Sequence, residues 1–400
     1  PSFYCPTRMH IPSSAILRWH LSIVLFLGLA WMTGEGSVHA QPVTWQPVSS
    51  PSPGAALNTF LDVSAADGSA HALLFSKDNT APAAPVTYRL YRRENNEWLN
   101  AGIPPQEPLD NPPQYNGLGV APNGAVWLGG NVEWHPIINP RPAVVQWTDS
   151  GGWGTPEMIE LMPSTVYPFT ERSGTINAMD VAPDGTVVAV GRAIGFGNAL
   201  DSSVPLVLVN DGSGWTEVID PTFDWPAGGR TGNALYDVIA FSATNVWAVG
   251  RHGPGSGVGE GGLLVHYDGS SLTLVEDPRE TGLLIGHSLR SVDGSSASDV
   301  WAVGDGSVTG NTTGLVHYDG SQWTLVDSPA PSIRDADEVV VQPNGEAWAT
   351  DLFAESDAFH YTGADWEFAP FLPSGTRDIR GMEIDDAGTL WAVGSTSDRT

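Results

Sequence analysis

A short apolar phrase that recurs along the chain is the strongest constraint on its fold. The best copies are VWAVG at 246–250 and at 300–304. Related copies are VWLGG at 126–130, VVAVG at 187–191, AWATD at 347–351 and LWAVG at 390–394, with a weaker copy, AHALL, at 70–74. The seven copies lie at intervals of roughly 40 to 60 residues, which is typical of proteins built from repeated units.

Each repeat contains more than this one strand. A second signature follows each copy except the last, with an aromatic or leucine residue at its centre: Trp98, Trp153, Trp215, Leu272, Trp323 and Trp366. In the clearest repeat, LRSV, VWAVG, GLVHYDG and QWTLV follow one another and predict four short strands separated by turn residues. A repeated four-stranded unit of this length predicts a β-propeller.

We therefore predict an all-β fold, a seven-bladed β-propeller of four-stranded antiparallel blades over residues 41–400. The blade-marking strands are expected near residues 71, 127, 188, 247, 301, 348 and 391. The segment QPVTWQPVSS at 41–50 matches an outer strand, whereas the last repeat reaches Thr400 with two strands. We expect the N-terminal strand to close a last blade that lacks its third strand. A C-terminally truncated sequence is the favoured explanation, and an imperfectly closed ring is the alternative.

The N-terminal region predicts export. Residues 1–8 are expected to be upstream or non-native, and residues 9–40 a signal peptide with Arg18, the apolar run LSIVLFLGLA and cleavage near Ala40. The apolar run is too short to span a bilayer, so we expect no membrane span in the mature chain. The expected location is secreted, extracellular or periplasmic. The single cysteine, Cys5, precedes the leader, so no disulfide is expected.

Charge excludes one class of partner. The net charge is −28 and Lys77 is the single lysine. A nucleic acid or an anionic membrane surface requires a basic face, so neither is expected. We expect a monomer without a cofactor or metal. The repeat-equivalent histidines His266, His317 and His360 are interpreted as structural, because equivalent positions in neighbouring blades lie far apart.

Loop lengths distinguish the two faces of the predicted disc. Turns on one face are short, such as APNG and YDGS, whereas loops on the other are long, such as 131–142, 192–205 and 251–262. Functional sites lie on such loops more often than on tight turns. The long-loop face is therefore the predicted ligand face. Its candidate binding residues are Trp134, Trp225, Tyr167 and Phe196, with Arg192, Arg230 and Arg251.

Two interpretations stay open for each of these groups. The aromatic residues suit sugar rings or peptide side chains, or they fold inward and cap the disc. The arginines suit an acidic sugar or an acidic peptide, or they form salt bridges with neighbouring acids.

The innermost strands add further candidates near the channel mouth. Their alignment places polar residues at one equivalent position: Asn58, Asn116, Asn177, Tyr236, Arg290, Asp337 and Arg380. A water-filled channel explains this pattern, and binding of a ligand on the axis is the functional alternative.

The units at 299–329 resemble exported bacterial propellers with W-A-V-G repeats, and they are also similar to Kelch-type and two-component-regulator sensor propellers. The segment IRGMEIDDAGTLWAVGS at 379–395 is similar to the two-component-regulator repeat. This resemblance implies the fold and not the activity. We favour a binding or interaction module that recognises a glycan or protein over an enzyme. The alternative is a propeller lyase or glycoside hydrolase. Its catalytic residues are unassigned among the loop carboxylates Glu133, Asp201, Asp224, Glu260, Glu280, Asp305 and Asp351.

Overall fold

A computed structural model shows strands and turns throughout the part of the chain that it describes. Those residues are 4–9, 45–49, 57–66, 69–77, 86–94, 97–105, 113–134, 139–161, 171–196, 202–219, 232–253, 261–275, 288–305, 314–326, 336–351, 357–370, 376–385 and 388–396. None of these ranges contains a helix long and apolar enough to cross a membrane.

Six blades are each formed by a contiguous stretch of chain, with strands ordered from the channel outwards. Blade one contains β3 (Leu57–Ala66), β4 (Ser69–Lys77), β5 (Thr87–Glu94) and β6 (Glu97–Gly102). Blade two contains β7 (Gln114–Val120), β8 (Val126–Trp134), β9 (Asn139–Thr148), β10 (Gly152–Trp153) and β11 (Glu157–Met158). Blade three contains β12 (Glu171–Val181), β13 (Val187–Phe196), β14 (Ser202–Asn210) and β15 (Trp215–Glu217).

The other three contiguous blades follow the same pattern. Blade four contains β16 (Ala234–Ser242), β17 (Asn245–His252), β18 (Gly261–Tyr267) and β19 (Leu272–Leu274). Blade five contains β20 (Leu289–Ser296), β21 (Asp299–Gly304), β22 (Leu315–Tyr318) and β23 (Trp323–Leu325). Blade six contains β24 (Ala336–Val341), β25 (Ala347–Asp351), β26 (Asp357–Tyr361) and β27 (Trp366–Pro370).

The prediction of seven blades is wrong, because the contiguous four-stranded pattern yields six. Strands β28 (Thr376–Ile384) and β29 (Leu390–Thr396) form no blade by themselves. They join β1 (Tyr4–Met9) and β2 (Trp45–Ser49) in a closing sheet of order β28-β29-β1-β2. Counting apolar phrases overestimated the blades, since the last phrase belongs to a sheet assembled from both chain ends.

The closing sheet also corrects the expected gap. We expected the last sheet to lack its third strand, but β1 fills that place by pairing with β29 on one edge and with β2 on the other. The innermost strands β3, β7, β12, β16, β20, β24 and β28 contact one another in cyclic order, so the ring is closed. Residues 10–40 of the predicted leader lie outside the described residues, and the division at residues 9 and 40 stays a prediction.

Tryptophan pairs join neighbouring sheets. A tryptophan on the second strand of one sheet meets, edge to face, a tryptophan on the fourth strand of the next. Trp247 packs on Trp323 with ring centroids 5.3 Å apart, and Trp301 packs on Trp366 at the same separation. Trp391 of the closing sheet meets Trp98 of blade one at 5.8 Å, so closure uses the same contact.

Three tryptophans are missing from the repeat in the described sheets, and two of these departures fall at one interface. The third is His71, which lies on the second strand of blade one and packs against Trp147. Val188 replaces the tryptophan of the second strand in blade three, and Leu272 replaces that of the fourth strand in blade four. Both side chains are buried in one apolar cluster between these blades. Val188 and Leu272 therefore replace one tryptophan pair together, and this smaller apolar pair fills the space that two tryptophans fill at other interfaces.

We predict that the Trp301–Trp366 contact contributes beyond the area that it buries. Trp301→Leu and Trp366→Leu should each lower the free energy of unfolding by about 2 to 4 kcal/mol. The double variant should show a coupling energy of about 0.5 to 1.5 kcal/mol, as edge-to-face aromatic pairs do. Denaturant unfolding of the four proteins measures this.

A matched cycle tests whether the coupling is local. Trp215 lies at another interface, against Trp127. Trp301→Leu combined with Trp215→Leu should therefore be additive within about 0.5 kcal/mol. Equal coupling in both cycles would contradict a contact effect.

Candidate functional site

A β-bulge occupies the same position in every innermost strand. The register shift leaves one extra residue in β12 between Ile176 and Ala178, and in β16 between Leu235 and Asp237. The equivalent extra residues around the ring are Leu61, Asn116, Asn177, Tyr236, Arg290, Asp337 and Arg380.

The position of the bulge corrects the sequence alignment of the innermost strand in blade one. In blade one the bulged residue is Leu61, whereas Asn58 pairs regularly with Ser76. The other aligned residues, Asn116, Asn177, Tyr236, Arg290 and Arg380 among them, do share the bulge. The polar residue that recurs in the sequence of the innermost strands therefore marks a β-bulge. At a bulge the extra residue has no partner on the neighbouring strand.

A cavity of about 400 Å³ lies on the short-turn side of the bulges. It reaches Pro122 and Pro183 in the turns that connect the first and second strands. Six carboxyl groups line it and are named here the carboxylate ring: Asp62, Asp180, Asp237, Asp293, Glu338 and Glu383. Sequence analysis did not single out this ring, although these acids follow the bulge by one or three positions in their strands.

Carboxylates one position after the bulge connect adjacent blades. Asp62 accepts a hydrogen bond from the N–H of Val63 at 2.8 Å and another from the N–H of Leu118, in blade two, at 2.9 Å. Asp237 repeats the arrangement and accepts from the N–H of Val292, in blade five, at 2.9 Å. Each carboxylate thereby satisfies an N–H on the free edge of the next innermost strand.

Carboxylates three positions after the bulge act one step further along the strand. Asp180 of blade three accepts from the N–H of Ala240 in blade four at 2.7 Å. Asp293 of blade five accepts from the N–H of Val341 in blade six, also at 2.7 Å. Four members of the ring therefore have a structural role as links between blades.

Burial, followed by repulsion between neighbouring carboxylates, raises the pKa values of these acids. Burial raises the pKa of Asp293 to about 7 and that of Asp237 to about 6, although the N–H donors lower both and the charge of Asp180 raises both. Burial, followed by neighbouring carboxylates, also raises the pKa of Glu338 and Glu383 well above the ordinary range. Part of the ring is therefore protonated near neutral pH.

The ring does not form a metal centre. Within the described ranges, no group of three or more His, Cys, Asp or Glu side chains is arranged to hold a metal ion. Four of the acids, Asp62, Asp180, Asp237 and Asp293, accept instead from N–H groups of the next innermost strand.

A second cavity, of about 230 Å³, lies beside the bulges of blades two to four. We name it the arginine pocket, and its lining residues are Asn116, Thr175, Asn177, Arg192, Gly232, Ala234, Tyr236 and Arg251. Arg192 and Arg251 directly follow Gly191 and Gly250 of the repeated phrase, so they are equivalent residues of neighbouring blades. The structure thus brings together five of the predicted binding residues: Asn116, Asn177, Tyr236, Arg192 and Arg251.

The amides of this pocket are anchored. Asn116 Nδ2 donates to the carbonyl of Ile176 at 3.0 Å, and Asn177 Nδ2 donates to the carbonyl of Leu235 at 2.7 Å. Each bond crosses to the next blade. Burial raises the pKa of Tyr236, and the charges of Arg251, Arg290 and Arg192 oppose that rise.

Other arginines are neutralised by acids. Arg290 contacts Asp305 at 2.8 Å and Asp337 at 3.5 Å. Arg141 and Arg172, on strands β9 and β12, pair with Glu160 and Glu217. The salt-bridge interpretation therefore holds for these three. The candidate Arg380 lies at the bulge of β28.

The aromatic candidates are placed only in part. Trp134 ends β8 and pairs with Asn139, and Phe196 ends β13 and pairs with Glu171. Both were expected in loops, but the hairpins extend as strands beyond the repeated phrase. Trp225, Tyr167 and Arg230 lie outside the described residues.

The repeated histidines pack on the repeated tryptophans. His317 stacks on Trp301 with centroids 4.2 Å apart, and its Nε2 lies 2.7 Å from Asp299. His360 stacks on Trp348 at 4.0 Å and contacts Glu346. These contacts agree with the structural interpretation of the histidines.

Comparisons with known proteins show the fold alone. No family model matches the chain, and no curated protein matches it. Solved structures that resemble it are β-propellers of various kinds, and three illustrate their range. Virginiamycin B lyase from Staphylococcus aureus is 12% identical with a TM-score of 0.45, over 85% of this chain and 98% of that one. YCF48 bound to D1 peptide is 14% identical with a TM-score of 0.48, over 86% and 94%.

The third is the β-propeller domain of the Trilobed protease from Pyrococcus furiosus, which is 10% identical with a TM-score of 0.49, over 86% and 91%. Such distant likeness assigns no family and no activity. The resemblance to Kelch-type and two-component-regulator propellers stays a prediction.

We predict that the carboxylate ring makes the protein more stable in mild acid than above neutrality. A carboxyl whose pKa is higher in the folded state binds more protons when folded, so its contribution is present below pH 4 and is lost as pH rises through 6 to 7. Asp293→Asn should flatten this dependence and raise the free energy of unfolding by about 1 to 3 kcal/mol at pH 8. Unfolding by denaturant across pH 4 to 8 measures it.

Asp319→Asn is the matched control. Hydrogen bonds from Ser321 and Gln322 in an exposed turn lower the pKa of Asp319 to about 2. This variant should therefore lose stability at neutral pH. A gain in stability with pH in the native protein would contradict the role of the ring.

We also predict that the Arg172–Glu217 pair is structural. The Arg172 and Glu217 side chains are 1% and 8% exposed, and their charged groups approach to 2.6 Å. Glu217→Ala leaves a buried charge and should lower the free energy of unfolding by about 3 to 5 kcal/mol. Glu160→Ala, which removes the exposed partner of Arg141, should cost no more than about 1 kcal/mol. Similar losses would contradict the assignment.

Proposed function

We propose that the protein is an exported binding module that recognises a glycan or protein partner through its long-loop face. The single observation that carries the proposal is that the two sides of the bulges are lined by ionisable groups of opposite sign. Acids line the cavity on the short-turn side, whereas two arginines line the pocket on the other. In a chain with a net charge of −28, this places a positive site on one face.

The form of the long-loop face supports the proposal. Strands β8 and β13 extend past the repeated phrase to Trp134 and Phe196. Strand hairpins hold residues in place more firmly than irregular loops do, so less conformational entropy is lost when a partner binds.

No observation favours the lyase or glycoside hydrolase alternative. Among the seven candidate loop carboxylates, Asp305 is the one whose side chain the structure describes, and it is paired with Arg290. A catalytic acid or base must be within reach of the substrate, and an acid paired with an arginine is a poor candidate for that role.

The proposal is tested with arrays of glycans and of peptides. Trp134→Ala together with Trp225→Ala should abolish retention on whichever array binds the native protein, because a few aromatic side chains provide much of the binding energy at such surfaces. The thermal midpoint should change little.

Phe368→Ala is the matched control, since Phe368 is a 47% exposed aromatic residue on outer strand β27. It should leave retention unchanged. Undiminished retention of the double variant, or equal loss in the control, would contradict binding through the long-loop face.

A further inference from the structure

We propose that the arginine pocket binds the carboxylate of an acidic sugar residue. This inference rests on the proposed function and names the ligand class for one part of the long-loop face. Two guanidinium groups, those of Arg192 and Arg251, line this pocket. Arg192 lies opposite Thr175 in the pairing of β13 with β12, and Arg251 lies opposite Ala234 in the pairing of β17 with β16.

The two arginines differ in their partners from Arg141, Arg172 and Arg290, which form ion pairs with acids. Arg251 Nε donates to the neutral carbonyl of Gly232 at 3.2 Å. Within the part of the chain that the structure describes, no ion pair joins Arg192 or Arg251 to a carboxylate. Arg290, one blade further, is held by Asp305. The pocket therefore keeps positive charge that its own residues leave uncompensated.

Two neighbouring guanidinium groups favour a carboxylate as ligand. Arginine presents planar N–H donors that match carboxylate oxygens in pairs, and such charge-assisted bonds are stronger than neutral ones. A neutral or cationic ligand would leave both charges without a partner.

The remaining lining favours a sugar as the carrier of this carboxylate. The Nδ2 groups of Asn116 and Asn177 are already bonded, so their amide oxygens are the atoms left to accept from ligand hydroxyls. Thr175 and Tyr236 add hydroxyls, and the Tyr236 ring provides an apolar surface of the kind that sugar rings use.

The size of the pocket limits the ligand. Its volume of about 230 Å³ is smaller than that of sites for drug-sized ligands. It therefore accommodates one residue of a chain and not several. An acidic peptide fits less well, because its methylene groups would require an apolar lining and Ala234 is the one aliphatic side chain in the described lining.

The test is calorimetric titration of the full chain with D-glucuronate, D-glucose, inorganic phosphate and a glutamate-rich peptide. Glucuronate should bind, its affinity should fall as salt is added, and glucose should not bind. Arg192→Gln with Arg251→Gln should weaken glucuronate binding at least about tenfold, the value of one charge-assisted bond.

Two further variants distinguish loss of binding from loss of fold or of overall positive charge. Arg192→Gln alone removes an exposed side chain that has no described hydrogen bond, so it should weaken binding without loss of fold. Arg141→Gln removes an arginine already paired with Glu160 and should leave binding unchanged.

Each contrary outcome overturns the inference. Equal binding of glucose, tighter binding of phosphate or peptide, no binding of glucuronate, or affinity unaffected by the arginine variants would each exclude an acidic-sugar site. Retention on arrays that depends on Trp134 and Trp225 but not on Arg192 and Arg251 would overturn this inference alone. Loss of any long-loop dependence would overturn the proposed function.

Discussion

The free edge of an innermost strand is the constraint on which the whole ring depends. Alternate N–H groups on that edge point into a narrow channel and away from the second strand of the same blade. A carboxylate from the preceding blade meets them, as Asp62 does for Leu118 and Asp293 for Val341. The same bond that satisfies a donor therefore also holds two blades together. The acids that make these bonds are buried close to one another, which raises the pKa values of Asp237 and Asp293 and disfavours their charged forms.

This geometry divides the channel into two regions of opposite character. Bulged residues such as Asn177 and Tyr236 mark the boundary in every strand. On the short-turn side the acids are engaged with backbone, whereas on the long-loop side Arg192 and Arg251 have no described acidic partner. The structural acids and the proposed binding pocket are thus separated by a few residues along one strand. A site for a ligand is favoured where the groups are not needed by the fold.

The sequence predicted the four-stranded unit, its strand order and the structural role of the histidines, because repetition shows which positions are equivalent. It did not predict the carboxylate ring, since an isolated Asp in LDV or YDV is indistinguishable from a solvated acid until the next blade is placed beside it. It also misaligned blade one, because the bulged residue there is the apolar Leu61, three positions after Asn58, and lacks the polar signal of the other blades. The count of blades failed where the repeat is shared between chain ends. Pairing over such a distance is set by the closure of the ring and not by local pattern.

The closing sheet has a consequence for maturation. Strand β2 is hydrogen-bonded to β1 and β1 to β29, so β1 is the one connection between β2 and the rest of that sheet. Removal of a leader after Ala40 would remove β1 and leave a vacancy one strand wide, about 4.8 Å, which β2 would have to cross to reach β29. The precursor and the processed protein would then close their rings with different partners. A cleavage site at Ala40 and the strand Tyr4–Met9 cannot both serve the same folded molecule.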